Sequence, residues 1–277
     1  MVIRSMFNLF KSKNKPIRFV NIVPGVAEAT PVILSKDLKR KWIDQNIKDL
    51  QASKEKLKKC PVGQIKDFLS RNNFIVRCPG IKTFINTGYI VTCPVDLTIE
   101  TNGDGENFRS EILSTINYGT YLSSREISPI RIHPHLKEQF HNYTPVPRNS
   151  LKYVIKLVTG WSVIPDKRYV FLITPPHYGD EDRFTSVTGI LDPFYDTQIN
   201  ALLYWHVLNG RETVKAGTPL LQVIPILRDF IQPDLSSGAP TEEEIIKLKC
   251  ATNAIQLHSA DRDIRKVKEV AERIFPE

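Results

Sequence analysis

The stretch from Val187 to Ile226 constrains the fold most, because it holds two apolar segments of strand length between chain-turning residues. Gly189 opens the first segment, Asn209-Gly210 closes it, and Gly217 opens the second. Both segments are rich in isoleucine, leucine, valine and aromatic residues, which favour strands. The stretch therefore predicts two hydrophobic strands joined by a short polar loop through Gly210.

An acidic corner interrupts this stretch at Asp192-Pro193. Proline fixes its own φ and lacks an N–H, so the carboxylate before it projects from a stiff turn. The residues by themselves favour an ordinary turn-forming role for Asp192. The alternative is a carboxylate that holds a water or a ligand.

The order of motifs around this corner resembles the dUTPase and dCTP deaminase superfamily, whose core is a β-clip. The residues that carry the likeness are Gly189 to Asp192, Tyr195, Gly217 and Gln222. Upstream, residues 176–179 read Pro-His-Tyr-Gly where dUTPases carry Pro-Arg-Ser-Gly. The likeness covers roughly residues 160–227. The fuller pattern, which begins at Gly160 with G-W-S-V-I-P, also resembles an uncharacterised family of tailed-phage proteins.

The resemblance implies a nucleotide site. In dUTPases the aspartate of the turn activates the attacking water, and the tyrosine three residues later packs on the deoxyribose. Carried over residue by residue, the nucleotide-binding candidates are Asp192, Tyr195, Gln222, His177 and Tyr178. The resemblance also implies trimers, because these enzymes build their sites between subunits.

Several departures from the superfamily argue against its chemistry. Residues 176–179 lack the arginine and serine that contact phosphate, so a triphosphate would lose a charge-assisted clamp. No glycine occurs from residue 239 to 277, where a glycine-rich arm would be needed. The dCTP deaminase proton shuttle would fall near Leu202, where no acid stands. No catalytic residue is therefore assigned.

Positive charge is concentrated at the N-terminus. Residues 1–59 carry 14 Lys and Arg against 5 Asp and Glu, whereas the rest of the chain is nearly neutral. Such a segment can attract nucleic acid, anionic lipid or an acidic partner, and a solvated helix face explains it equally well. The nucleic-acid contacts predicted here are Lys36, Lys39, Arg40, Lys41 and Lys48.

The pattern of apolar residues predicts three segments: a basic arm with helices at 1–73, a β-rich core at 74–232 and a helical tail at 233–277. A helix capped by Ser35 and a short helix after Pro61 are expected in the first. Alternating residues predict strands at 73–78, 82–93, 95–100, 153–158, 161–165 and 168–174, with irregular chain at 107–150. Tail helices are expected to open at Thr241 and Ser259.

Metal and cofactor motifs are weak. His133, His135 and His141 could supply ligands, but the intervening proline favours ordinary loop histidines. The four cysteines (Cys60, Cys78, Cys93 and Cys250) form no C-x-x-C pair and are expected to be reduced thiols. No cofactor, metal or membrane association is predicted, and the expected location is the cytoplasm, of a host cell if phage-encoded, or a virion.

These observations predict a mainly β protein (α+β) with a dUTPase-like β-clip barrel or jelly-roll core and flanking helices. The predicted function is a non-catalytic phage-type accessory protein that acts as a binding or assembly module, as a homo-oligomer and most simply a trimer. The first alternative is a dUTP- or dCTP-class nucleotide enzyme or sensor that uses Asp192 and Tyr195. The second is a nucleic-acid-binding protein that acts through the basic helix.

Overall fold

The computed structural model describes residues 16–58, 78–113, 130–135, 146–230, 236–250 and 273, and it is mainly β. The helices are α1 (Val26–Ala29), α2 (Lys41–Lys58) and α3 (Pro79–Asn86), with a 3₁₀ turn at Ser35–Asp37. The strands are β1 (Phe19–Asn21), β2 (Ile33–Leu34), β3 (Tyr89–Thr92), β4 (Asp96–Asn102), β5 (Phe108–Leu113), β6 (Arg131–Pro134), β7 (Ile155–Val163), β8 (Tyr169–Thr174), β9 (Phe184–Ser186), β10 (Gly189–Leu191), β11 (Gln198–Trp205), β12 (Asn209–Val214) and β13 (Pro219–Leu227).

Three antiparallel sheets build the body. Sheet A has the strand order β1-β7-β11-β9, with β6 also paired to β7. Sheet B has the order β10-β8-β13-β3-β2, and sheet C has the order β12-β4-β5. The predicted fold class, mainly β with a minority of helix, is confirmed, and the narrower β-clip assignment stays a prediction.

One hydrophobic core joins the three sheets. Leu203 of β11, Val223 of β13 and Ile99 of β4 are each at most 1% exposed and belong to the same cluster. Trp205 is fully buried and stacks on Phe184 with 6.3 Å between ring centroids. Alternate residues of β11 face this core, whereas β7 and β13 contain continuous buried runs, so apolar alternation in the sequence records burial in strands like β11.

The predicted strand at 82–93 is wrong in its first half, where α3 occupies residues 79–86. Pro79 stands at the start of the helix, a position that tolerates its missing N–H. Ile81, Phe84 and Ile85 are spaced three and four residues apart, which is a helical period. Gly88 then turns the chain with φ of 77°, and β3 follows.

The helix predicted from Ser35 begins six residues later than expected. Ser35 lies in a 3₁₀ turn, and its hydroxyl donates to the carbonyl of Ile85 at 2.7 Å instead of capping a helix. Leu38 is extended, with ψ of 118°, so the helix cannot start until Lys41. The short helix predicted after Pro61 and the strand predicted at 73–78, apart from Cys78, lie outside the described residues.

Three further boundaries differ from the sequence analysis. The region 107–150, predicted to be irregular, contains β5 and β6, and the polar loop through Gly210 is strand β12. The two strands predicted at 153–158 and 161–165 are the single strand β7. Gly160 continues it with φ of 75°, a conformation that glycine adopts without strain.

The chain divides into two compact units, Met1–Ile231 and Gln232–Glu277. Within the second unit a helix covers residues 242–250. The Thr241 hydroxyl accepts from the N–H of Glu244 at 3.3 Å, and the Glu244 carboxylate accepts from the N–H of Thr241 at 2.7 Å. This reciprocal capping box confirms the predicted helix start, whereas the helix predicted from Ser259 lies outside the described residues.

Candidate functional site

The acidic corner is a tight turn between β10 and β11. The Asp192 carboxylate accepts from the backbone N–H of Phe194 at 3.0 Å. The Asp192 carbonyl accepts from the N–H groups of Tyr195 at 2.9 Å and Asp196 at 3.1 Å. The aspartate therefore folds the chain around itself, as expected for an Asx turn stiffened by the following proline.

Arg228, just after β13, donates to both carboxylate oxygens of Asp192. Its Nη1 donates to Asp192 Oδ2 at 2.6 Å and its Nη2 donates to Asp192 Oδ1 at 2.8 Å. The guanidinium, followed by the N–H of Phe194, lowers the pKa of Asp192 from 3.8 to about 2. A carboxylate this acidic is a poor proton acceptor near neutral pH, because a general base works best with a pKa near the working pH.

Exposed apolar side chains lie on and near the turn that holds this ion pair. Tyr195 is 92% exposed, Phe194 60%, Ile190 56% and Leu227 43%. The Arg228 guanidinium lies 5.1 Å from the centroid of the Phe194 ring, within cation–π range. Phe194 and Tyr195 belong to the turn itself, and we call these two residues the Tyr195 surface. Ile190 pairs with Leu172 and Leu227 with Tyr169, three residues apart in β8, so these two side chains lie on opposite faces of sheet B.

His177 and Tyr178 lie beyond the opposite end of β8. Leu191 pairs with Phe171, so Asp192 is level with the start of β8, whereas His177 follows its last residue, Thr174. Four strand residues, or about 13 Å at about 3.3 Å per residue, separate the two levels. Within one chain, Asp192 therefore lies near Tyr195, and His177 lies near Tyr178. The two pairs of residues lie at opposite ends of β8, apart from each other.

The loop that carries His177 and Tyr178 packs on two helices. His177 Nε2 lies 3.0 Å from the hydroxyl of Thr174, and its ring centroid lies 5.5 Å from that of Phe84 in α3. Tyr178 adopts φ of 57°, unusual for a bulky side chain, and its ring centroid lies 6.2 Å from that of Trp42 in α2.

Gln222 is fully buried in β13 and holds the end of α3. Its Nε2 donates to the carbonyls of Phe84 at 3.0 Å and Thr87 at 2.8 Å. Its Oε1 is buried without a hydrogen-bond partner among the described residues. The amide thus stabilises the helix end from inside the sheet, and the residue is not at a surface where a ligand could reach it directly.

Of the five basic residues predicted to contact nucleic acid, Lys36, Lys39, Lys41 and Lys48 are exposed. Arg40 is only 3% exposed, and its guanidinium donates to the carbonyls of Leu38 at 3.2 Å, Ser35 at 3.3 Å and Ile85 at 3.5 Å. Burial lowers the pKa of the Arg40 guanidinium, and the charge of Asp180 opposes that shift. Arg40 is a structural residue, so its prediction as a surface contact is corrected.

Three residues that hold these sites were missed. Arg228 is an isolated arginine after a strand, and nothing in its local pattern marks it as the partner of Asp192. Asp180 accepts from the N–H of Lys41 at 2.9 Å, and Trp42 Nε1 donates to the carbonyl of Tyr178 at 2.6 Å. The acidic run 180–182 was a signal that could have indicated a helix N-terminus nearby.

The described residues contain no group of three metal-ligating side chains. His133 is exposed, with its Nδ1 2.9 Å from the carbonyl of Pro134, and His141 lies outside the described residues. Burial raises the pKa of the Cys93 thiol to about 12, so that thiol stays protonated. In the part of the chain that the structure describes, no helix combines the length and apolar character needed to cross a bilayer.

The fold and site define a mainly β protein with antiparallel sheets and an acidic turn whose Asp192 is hydrogen-bonded by Arg228 and Phe194 of the same chain. No protein-family pattern and no curated protein matches the chain. Among solved structures, a mutant dUTPase from phage phi11 of S. aureus is similar over 56% of this chain and 85% of that chain, with 13% identity and a TM-score of 0.29. At this score, the description of the fold rests on the strands and their pairing.

Proposed function

We propose that the protein is a non-catalytic, phage-type accessory protein with a dUTPase-like β core that acts as a binding or assembly module. The observation that carries this proposal is the engagement of Asp192. Both oxygens of its carboxylate accept hydrogen bonds from Arg228, and one also accepts from the N–H of Phe194. A carboxylate held in this way stiffens a turn and has little capacity left to orient or deprotonate a water.

The loop after β8 supports the same conclusion. Where a phosphate-binding loop would offer donors, this loop continues into three acids, Asp180, Glu181 and Asp182. Glu181 is neutralised by Arg183, whose Nη2 donates to it at 2.7 Å, and Asp180 is used by the first turn of α2. Asp180 and Glu181 therefore stabilise the fold, and the charge of the third acid, Asp182, repels a polyphosphate.

The exposure of Phe194 and Tyr195 supports a protein-binding role for the Tyr195 surface. Tyrosine and phenylalanine are enriched at the centre of interfaces, and Phe194 and Tyr195 both stay in water in this turn. We therefore place the self-association of this chain, most simply as a trimer, on this surface. The Asp192–Arg228 pair would then have the role of presenting Phe194 and Tyr195 in a fixed conformation.

Calorimetry with dUTP, dUMP and dCTP tests the central claim. We expect no heat of binding, because the described loop after β8 offers acids where phosphate donors would be needed. Micromolar binding that is lost in Asp192→Asn and kept in Asp196→Asn would overturn the proposal and support a nucleotide enzyme or sensor. Asp196 is a matched control, since it is an exposed acid in the same turn whose carboxylate accepts from the N–H of Gln198 at 2.8 Å.

The exposure of Lys36, Lys39, Lys41 and Lys48 favours a second candidate, nucleic-acid binding through the N-terminal basic segment. Affinity for DNA would then fall steeply with salt, because counterions are released from the phosphates. The double variant Lys39→Glu/Lys41→Glu should abolish such binding. Binding that is indifferent to both salt and these substitutions would remove this candidate.

A further inference from the structure

The start of α2 fastens onto the loop after β8. Within the described residues, the hydrogen bonds between α2 and the β body come from Lys41 and Trp42, to Asp180 at 2.9 Å and Tyr178 at 2.6 Å. We call these two bonds and the Trp42–Tyr178 ring contact the clasp. Farther along, the side chains described from Ile47 to Ala52 are all exposed, Ile47 to 41%. Among its described side chains, the helix is therefore held through its first turns.

A fixed point stands directly before the clasp. Arg40 is buried, and its guanidinium is tied to the carbonyls of Leu38, Ser35 and Ile85. The residue after it is already the first of the helix and is exposed. A change of backbone dihedrals between Arg40 and Lys41 can therefore swing the helix while the interior contacts of Arg40 stay intact, as at a hinge.

The loop side of the clasp is strained. Tyr178 has φ of 57°, and a left-handed conformation costs a non-glycine residue about 1–2 kcal/mol. Such strain persists only where surrounding contacts impose it. The contacts that impose it here are the bonds of the clasp and the N–H of Gly179, which donates to the carbonyl of Pro176 at 3.0 Å.

We propose that α2 is a hinged strap, closed by the clasp, whose release and the relaxation of the loop 176–180 are one conformational event. In the closed state, Asp180 satisfies an N–H of the first helical turn, and its charge is favourable at that helix end. In the open state, Tyr178 returns to negative φ, the Trp42 indole loses its acceptor, and the loop moves with it. Binding of a partner to Lys41 and Lys48 of α2 would thereby change the conformation of the loop after β8.

Exchange of the tryptophan indole protons in the full-length protein measures opening. Trp42 Nε1 has an acceptor, whereas Trp161 Nε1 and Trp205 Nε1 are buried without one among the described residues, so the three report different events. Asp180→Ala should speed exchange at Trp42 about fivefold, the usual effect of losing a capping contact. Trp161 and Trp205 should not change, and Asp182→Ala, an exposed acid two residues on, should leave all three unchanged.

A second pair of variants isolates the strain. Tyr178→Ala and Tyr178→Gly both remove the ring, but only glycine relieves the backbone. The glycine variant should therefore open less than the alanine variant, by about tenfold in Trp42 exchange. Equal exchange in these two variants would show that the loop stores no strain and would overturn the coupling.

The wild-type protein supplies a readout that does not depend on how any variant folds. If release is one event, the Gly179 amide and the Trp42 indole should exchange with the same opening constant and the same dependence on denaturant. Different opening constants, or exchange at Trp42 that rises only together with Trp161 and Trp205, would mean that no separate strap exists.

Discussion

The two ends of sheet B use the same chemical group in opposite environments. At one end, the Arg228 guanidinium grips a carboxylate and remains 32% exposed. At the other end, the Arg40 guanidinium grips backbone carbonyls and is almost completely buried. The first contact fixes the shape of a surface turn, and the second holds a helix end and a 3₁₀ turn together in the interior.

This difference in burial predicts which single residues contribute most to the free energy of unfolding. An exposed ion pair is screened by water and salt, so its loss is partly compensated by solvation. The buried guanidinium of Arg40 and the buried side-chain amide of Gln222 have no such compensation. When either group is removed, the backbone carbonyls that it donates to lose a hydrogen-bond donor. We therefore expect large effects of mutation at the Arg40 end and small ones at the Asp192 end.

The largest effect is expected for Arg40→Ala, which removes both the guanidinium and its buried aliphatic stem. Lost hydrogen bonds and lost packing together should cost about 3 kcal/mol in the free energy of unfolding. Urea denaturation measures it. Arg40→Met, which keeps most of the stem, should cost less, and Lys39→Ala, at an exposed neighbour, should change stability by less than about 0.5 kcal/mol. Similar losses for Arg40→Ala and Lys39→Ala would break the comparison.

Gln222→Leu should rank second, because the Thr87 carbonyl would lose its donor from inside the sheet. The expected loss is about 2 kcal/mol in the free energy of unfolding, measured in the same way. Thr92→Val is the matched control, since the Thr92 hydroxyl is buried on neighbouring β3 without a partner among the described residues. Removing that hydroxyl should be neutral or stabilising, and a larger loss at Thr92 than at Gln222 would contradict the role given to the amide.

The sequence predicted the strands whose alternation reports burial and failed where tertiary contacts decide. Residues 187–226 gave the strands β11 and β13 because their apolar residues face a common core, but the two strands belong to different sheets and the polar loop predicted between them is strand β12. Ile81, Phe84 and Ile85 are spaced about one helical turn apart, but a short apolar segment also fits a strand, so residues 82–86 were wrongly predicted as part of a strand. The start of α2 could not be predicted, because the burial of Arg40 rather than a local cap sets it.

For the candidate site, the sequence predicted the turn at Asp192 but neither the partner of that aspartate, Arg228, nor the exposure of Tyr195. Arg228 is 36 positions away in the chain and meets the turn only because β13 and β10 both pair with β8. Position in the sequence likewise gave no indication that His177 and Tyr178 lie at the other end of that strand. Pairing between distant strands, and not residue type, fixes both outcomes.

The exposed ion pair should give a smaller effect that depends on pH. Its depressed pKa means that Asp192 contributes stability above pH 4, and that this contribution is lost as pH falls toward 2. Wild type should therefore be more stable than Asp192→Asn at pH 5, with the gap closing by about pH 2, as followed by urea denaturation. In an Arg228→Gln background the gap at pH 5 should shrink, because the main cause of the shift is gone. If the difference in stability at pH 5 stays the same in that background, the stabilisation by Asp192 does not come from its ion pair with Arg228.

The smallest effect on stability is expected at the Tyr195 surface. Tyr195 is 92% exposed, so Tyr195→Ser should change the free energy of unfolding by less than about 0.5 kcal/mol. The same substitution should weaken self-association, which light scattering over a range of concentrations measures, because an aromatic side chain at an interface centre contributes a large share of the binding energy. Leu113→Ser, at an exposed apolar residue of sheet C, should leave association unchanged. A wild-type protein that is monomeric at every concentration, or equal weakening by both substitutions, would remove self-association from this surface and leave Phe194 and Tyr195 for a different protein partner.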